Sequence, residues 1–208
     1  MGRTKTRLCP PLTPEQAAAL YEALLRDTIH LAAGWEGVQL AIAVTPPEAT
    51  DLFERWSPPG TILLPVTGVD IGHCLDQVLG RLLARGHAQA MALNSDGPTL
   101  PAGYLRQAVA CLARADVVLG PGEDGGYYLI GLKKPHPDLF RGIDWSTERV
   151  TAQTLARAEA LGLAVALLPA WYDVDTASDL ERLRAEIAAL PDDAVPHTRH
   201  FLDQYARS

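Results

Sequence analysis

Three aspartates fall where an α/β chain would place carboxylates that act on phosphate. Asp96 stands in Asn94-Ser95-Asp96-Gly97-Pro98, and Asp173 and Asp175 stand one residue apart in Trp171-Tyr172-Asp173-Val174-Asp175-Thr176. In extended chain, side chains two positions apart point the same way, so this pair sets two like charges together unless a cation bridges them. Magnesium takes one or two protein carboxylates and fills its shell with substrate phosphates, which makes Asp96, Asp173 and Asp175 candidate ligands for Mg²⁺ or Mn²⁺. Each segment also has a plainer reading. Asp-Gly-Pro is a common turn and helix-capping sequence, and Asp175 or Thr176 would serve as a cap for a following helix.

Gly120-Pro121-Gly122-Glu123-Asp124-Gly125-Gly126-Tyr127-Tyr128 is the most unusual stretch. Adjacent glycines let backbone N–H groups approach an anionic ligand, and the two tyrosines offer a wall and hydroxyls; a hairpin turn is the alternative. Arg3, Lys5 and Arg7 concentrate positive charge at the start of the chain, where they could clamp a diphosphate or simply be solvated. No GxxxxGK[ST] loop or GxSxG elbow occurs, and the one G-x-G-x-x-G run, Gly120 to Gly125, lies between two expected strands instead of opening a helix, so the usual P-loop NTPase, α/β-hydrolase and dinucleotide-dependent dehydrogenase readings are not supported.

The elements that must position these residues alternate between strand and helix. Thr13-Pro14-Glu15-Gln16 reads as a cap, a first-turn proline and a capping-box glutamine, with Leu20, Tyr21, Leu24, Leu25 and Ile29 on one face of the helix that follows. Strands are expected at 38–44, 61–65, 90–93, 116–121, 127–132 and 165–169. Helices are expected at 48–56, 71–85 and 101–113, from Ser146 or Thr147 to Leu161, and from Thr176 onward. From Pro191 the chain is polar and reads as a terminal appendage, with His197 and His200 solvated. The alternation predicts one α/β domain over 1–190, with a mostly parallel sheet covered on both faces and 191–208 appended. Ligands of such sheets bind beyond the carboxyl ends of the strands, where Asp96 and the Asp173/Asp175 pair would lie.

The chain has 208 residues, 48% hydrophobic and 21% charged, which suits one ordinary globular domain with a real core. A net charge of -7 argues against a general nucleic-acid binder. No apolar run approaches the ~20 residues of a membrane span, and the first residues carry no signal-peptide segment, so a cytoplasmic location is expected. Cys9, Cys74 and Cys111 are widely spaced and form neither a disulfide framework nor a zinc motif.

Taken in order, Gly2 to Leu12, Asn94 to Pro101, Leu119 to Leu132, the segment around Asp144-Trp145-Ser146-Thr147, and Asp173 to Leu180 resemble a bacterial GT-A-like glycosyltransferase family of the arsenosugar-biosynthesis type. That family is similar to phospholactate and phosphoenolpyruvate guanylyltransferases and to molybdenum-cofactor guanylyltransferases. The resemblance implies a three-layer Rossmann-like GT-A (nucleotide-diphospho-sugar transferase) domain. It implies Asp96, Asp173 and Asp175 as metal ligands, Lys5 and Arg7 on the nucleotide phosphates, and Glu123, Gly125, Gly126 and Tyr127 at the acceptor. Arg3 joins Lys5 and Arg7 as a nucleotide-binding candidate by charge, and Asp96, Asp175 and Asp124 are the candidate catalytic carboxylates. The expected partners are a nucleotide or nucleotide-sugar and a small-molecule acceptor, and self-association into a homo-oligomer is a further expectation. Glycosyl transfer is the leading expectation, with nucleotidyl transfer to a small phosphorylated acceptor and a non-catalytic paralogue as alternatives. Two departures stand out. The family carries a buried strand before the Lys-Thr-Arg motif and this sequence starts at the motif, so the first strand is expected to be missing. A Gly-x-x-Gly-x-Arg pattern reads Gly68-Val69-Asp70-Ile71-Gly72-His73 here, which removes a basic contact.

Overall fold

Helix α1 (Pro14–Ala33) forms where the capping box predicts it: the Thr13 hydroxyl accepts from the Gln16 amide at 3.2 Å, and the Gln16 side chain accepts from the Thr13 amide at 2.8 Å. The computed structural model describes residues 4–35, 37–68 and 70–205. Arg3, expected on the nucleotide, and Val69 of the altered glycine motif lie outside the described residues. The chain divides into two compact units, one made of residues 1–38, 95–100 and 172–208, the other of 39–94 and 101–171.

The first unit is helical. Besides α1 it contains α6 (Ala177–Ala189) and α7 (Pro196–Tyr205), and a short 3-10 turn at Thr6–Leu8. Helix α6 opens on a second capping box, in which the Asp179 carboxylate accepts from the Thr176 amide at 2.7 Å, and it buries Leu180, Leu183 and Ile187. The segment after Pro191 is not a loose appendage. Thr198 and Leu202, four apart on α7, are buried, and α7 packs on α1. Asp27 of α1 is 2% exposed and accepts from the His197 and Thr198 amides at 3.1 and 2.7 Å, so a carboxylate from another helix caps the positive end of α7. The polarity of this segment belongs to its outer face, where His197 and His200 are exposed.

The second unit holds the strands. Four of them, β3 (Ala90–Leu93), β4 (Val117–Pro121), β5 (Tyr127–Leu132) and β6 (Val165–Leu167), form a sheet in the order β3-β5-β4-β6. Strand β5 runs antiparallel to both neighbours while β4 and β6 are parallel, so β5 alone is reversed. Register is set by burial on both faces, with Leu119 opposite Ile130 and Val117 opposite Leu132, all buried. Strands β1 (Ala41–Val44) and β2 (Ile62–Pro65) pair in parallel as a separate ribbon. The alternation suggested one continuous sheet. Among the described residues, no strand lies between the two sets to carry the ladder across.

Helices α2 (Thr50–Trp56), α3 (Ile71–Ala84), α4 (Ala102–Leu112) and α5 (Val150–Ala160) complete this unit. Its core joins Leu64, Leu79, Leu82, Leu119, Ile130, Leu132, Leu139 and Phe140. Helix α5 starts later than Ser146 or Thr147. The Thr147 hydroxyl donates to the Asp144 carbonyl at 2.7 Å and accepts from the Arg149 amide at 3.3 Å, which closes a turn ahead of the helix. Among the described residues no helix is long and apolar enough to cross a membrane.

Candidate functional site

Lys5, Asp96 and Asp175 meet in the first unit although 170 residues separate the lysine from the last aspartate. The Lys5 ammonium lies 2.7 Å from Asp175 Oδ1 and 3.0 Å from Asp96 Oδ1, and its side chain is only 5% exposed. Burial pulls the ammonium down, but the two carboxylates outweigh it and hold its pKa above the ordinary lysine value. The three side chains line a cavity of about 330 Å³ together with Thr4, Thr6, Arg7 and Tyr21.

Each of these side chains is fixed locally. Lys5 has a left-handed backbone (φ 53°), and its carbonyl accepts from the Leu8 amide at 3.0 Å as the chain enters the 3-10 turn; Leu8 is fully buried and anchors that turn. The Asp96 carbonyl accepts from the Val174 amide at 3.0 Å, which ties the two aspartate loops together, and the Ser95 hydroxyl reaches the Tyr21 hydroxyl at 3.4 Å. Asp175 directly precedes the α6 capping box, and its amide donates to Asp179 Oδ2 at 3.2 Å. A network behind the aspartates joins the loops again. Glu186 Oε2 of α6 accepts from the Thr99 hydroxyl at 2.8 Å and from the Tyr172 hydroxyl at 2.7 Å. Burial, first, and Glu186 push the Tyr172 pKa well above the usual phenol value; Thr99 and Arg182 act the other way and do not offset them.

Asp173 does not line the cavity. Residues 172–175 belong to no named strand, yet Tyr172 and Val174 are buried while Asp173 and Asp175 are both partly exposed, so the alternation holds and the two aspartates differ in reaching the cavity. Among the described residues no three His, Cys, Asp or Glu side chains converge as a metal cluster; Asp96 and Asp175 share the Lys5 ammonium.

The glycine-rich turn belongs to the second unit and is bonded both within itself and to Trp171 and Thr151, whose amide donates to the Gly125 carbonyl at 2.9 Å. The Gly122 amide donates to the Gly126 carbonyl at 2.8 Å, the Gly125 amide to the Gly122 carbonyl at 3.2 Å, and the Glu123 amide to the Trp171 carbonyl at 3.0 Å. Asp124 Oδ1 accepts from the Gly126 amide at 2.9 Å, so this carboxylate shapes the turn. Gly125 has φ 88°, and a Cβ there would run into the Glu148 carbonyl. Tyr127 sets its ring edge-on to Trp145 at 6.2 Å, and burial pushes its pKa well above the usual phenol value. Tyr128 is a core residue whose hydroxyl donates to the Pro169 carbonyl at 3.0 Å.

Sequence reasoning missed Thr4, Thr6, Tyr21, Thr99 and Glu186. Tyr21 was legible only as one of the inward residues of α1. Glu186 carries no motif and gains its place from the helix phase that brings it under Tyr172.

The fold and this arrangement of strands and helices define an α/β protein of the Rossmann-like nucleotide-diphospho-sugar transferase class. The chain belongs to the family described as uncharacterized proteins conserved in bacteria (DUF2064), whose model matches residues 28–147. It is similar, at 28% identity and a TM-score of 0.86, to a crystal structure of a candidate nucleotide-diphospho-sugar transferase from Desulfovibrio desulfuricans G20, over 98% of this chain and 92% of that one. At 14% identity and a TM-score of 0.52 it shares its fold with molybdopterin-guanine dinucleotide biosynthesis protein A from Archaeoglobus fulgidus, over 82% and 86% of the two chains. At 13% identity and a TM-score of 0.56 it likewise shares its fold with CMP:2-keto-3-deoxy-manno-octonic acid synthetase complexed with CTP, over 80% and 88%. No curated protein matches the sequence.

Proposed function

We propose that this chain is a nucleotide-using transferase whose donor phosphates bind at Lys5, Arg7, Asp96 and Asp175, with glycosyl transfer from a nucleotide-sugar as the leading chemistry. The observation that carries the reading is the Lys5 ammonium held between Asp96 and Asp175 at the wall of a cavity that Arg7 also lines. Two carboxylate oxygens already converge on one cation there, a donor set that fits a hard divalent ion. Mg²⁺ or Mn²⁺ on Asp96 and Asp175, with phosphate and water oxygens completing its shell, would offset the charge of the donor's phosphates. Lys5 and Arg7 contribute charge-assisted hydrogen bonds to those phosphates, and the Thr4 and Thr6 hydroxyls line the same cavity. At about 330 Å³ the cavity is at the small end for a ligand site and suits the phosphates rather than a whole nucleotide-sugar.

Nucleotidyl transfer is the second reading. It is supported by the shared fold with a CTP-complexed synthetase and a guanine-dinucleotide biosynthesis protein. The test is a binding panel of nucleoside triphosphates and nucleotide-sugars with and without Mg²⁺ or Mn²⁺, followed by product analysis. Release of a nucleoside diphosphate from a sugar donor supports glycosyl transfer, and release of pyrophosphate from a triphosphate supports nucleotidyl transfer. If no nucleotide binds with or without metal, the reading fails.

A further inference from the structure

We infer that Glu186 is a positioning residue that sets the spacing of Asp96 and Asp175. The inference rests on the phosphate-site reading above and goes beyond it, because Glu186 does not line the cavity. Its Oε2 accepts two hydrogen bonds, from Thr99 at 2.8 Å and from Tyr172 at 2.7 Å. Thr99 lies three positions after Asp96, and Tyr172 lies three before Asp175. One oxygen therefore ties down both loops that carry the aspartates. The other oxygen, Oε1, faces Arg182 Nε at 3.2 Å, and the Arg182 guanidinium covers the Tyr172 ring at 3.7 Å from its centroid.

The helix that bears Glu186 is itself tied to the site at its first turn. The α6 capping box begins at Thr176, next to Asp175, and Leu180, Leu183 and Ile187 bury the face that fixes the helix phase. Glu186 thus reaches back from the last turns of the helix whose first turn holds Asp175. The Val174 amide on the Asp96 carbonyl adds a direct link between the loops, but it constrains backbone only. Orientation of the two carboxylates then depends on the side-chain tethers on either side of it.

Chemistry makes the glutamate hard to replace. Both hydroxyls donate to one oxygen while the other oxygen receives a guanidinium, so the carboxylate accepts at both ends. A glutamine has one acceptor oxygen: placed on the hydroxyls it sets its amide nitrogen against the Arg182 guanidinium, and placed on Arg182 it makes the Thr99 and Tyr172 hydroxyls switch from donors to acceptors.

The experiment compares wild type with Glu186→Gln, Thr99→Val and Tyr172→Phe. Two readouts are taken besides melting temperature: the gain in nucleotide affinity on adding Mn²⁺, and the slowly exchanging ¹⁵N ammonium resonance of Lys5, assigned by its loss in Lys5→Arg. Glu186→Gln is expected to cut the Mn²⁺-dependent gain roughly 10-fold or more, the scale seen when groups that orient metal ligands are removed. It is also expected to broaden the Lys5 resonance, and the two single-tether variants should show smaller, coupled losses. A Glu186→Gln protein that melts lower but keeps both the Mn²⁺-dependent gain and the Lys5 resonance would overturn the proposal and leave Glu186 a stabilising residue only. If Glu186→Gln does not fold, the two single-tether variants decide by the same readouts. If wild type binds no nucleotide, the functional reading fails on its own, and the Lys5 resonance still tests whether Glu186 sets the spacing.

Discussion

The Lys5–Asp96–Asp175 site and the Gly122–Tyr127 turn are both rich in charge and in backbone that sequence reading marks out, yet they are built in opposite ways. The first gathers side chains from three distant segments around one ammonium and leaves them lining a cavity. The second is built mainly from neighbours: the Gly122, Gly125 and Gly126 amides find partners within four residues, and its backbone also bonds to the more distant Trp171 and Thr151. An acidic group that finds its partner two residues away is doing the work of a turn. One that finds a buried lysine across the whole chain is held against the cost of desolvation, and such arrangements concentrate where charge must be handled.

The comparison predicts that substitutions in the two regions separate binding from stability. The largest effect is expected for Asp96→Asn and Asp175→Asn, since an amide is a poor ligand for a hard cation. Metal-dependent nucleotide affinity should fall by at least ~100-fold, because removing groups that only orient metal ligands already costs ~10–100-fold. Calorimetric titration with and without Mg²⁺ checks this; affinity equal to wild type in both variants would break the assignment of the carboxylates. Lys5→Met should cost less, about tenfold in nucleotide affinity, the loss of one charge-assisted hydrogen bond. It should also lower the melting temperature, because two carboxylates are left without the cation between them.

In the turn the order reverses, with stability affected and phosphate binding spared. Gly125→Ala adds a Cβ at φ 88° against the Glu148 carbonyl and should cost about 1–3 kcal/mol. At ~2–4 °C per kcal/mol for a chain of this size, that is a melting shift of roughly 2–12 °C. Gly126→Ala meets only the Asp124 carboxylate at 3.1 Å, so its shift should be much smaller. Thermal melts of the pair, with nucleotide affinity measured on the folded protein, test the contrast. Equal shifts, or a loss of nucleotide affinity in Gly125→Ala, would break the contrast between the two regions.

Much of this was legible in the residues. The two capping boxes, at Thr13–Gln16 and Thr176–Asp179, place helix starts correctly because both partners of each cap lie within one turn. Alternation of buried strands and helices gives the fold class, and Lys5, Arg7, Asp96 and Asp175 are brought to one cavity. What was not legible depends mostly on distance. Alternation grouped Asp173 with Asp175, and the burial of Tyr172 and Val174 keeps that grouping, but the cavity lining includes Asp175 and not Asp173. The helix after Pro191 was hidden because its cap is Asp27, which no local pattern could supply. Glu186 was hidden for the same reason, since its partners are 87 and 14 residues away.

The smallest expected effect concerns alkali, and it bears on both regions at once. Tyr172 beside the phosphate site and Tyr127 and Tyr128 in the strand after the turn all have pKa values pushed well above the phenol range, in each case first by burial. A raised value means that the folded protein keeps these protons when the unfolded chain, with tyrosines near ~10, has released them. Folding then binds more protons than unfolding in that window, so stability falls as pH climbs past ~10, while nothing is lost at neutral pH. Spectroscopic titration should therefore show that Tyr127→Phe, Tyr128→Phe and Tyr172→Phe leave the tyrosinate absorbance developed before alkaline unfolding unchanged. They should reduce only the step that accompanies unfolding. If Tyr172→Phe lowered the early rise while the Tyr127 and Tyr128 variants did not, the hydroxyl beside Glu186 would be open to solvent, and the two regions would differ in burial as well as in construction.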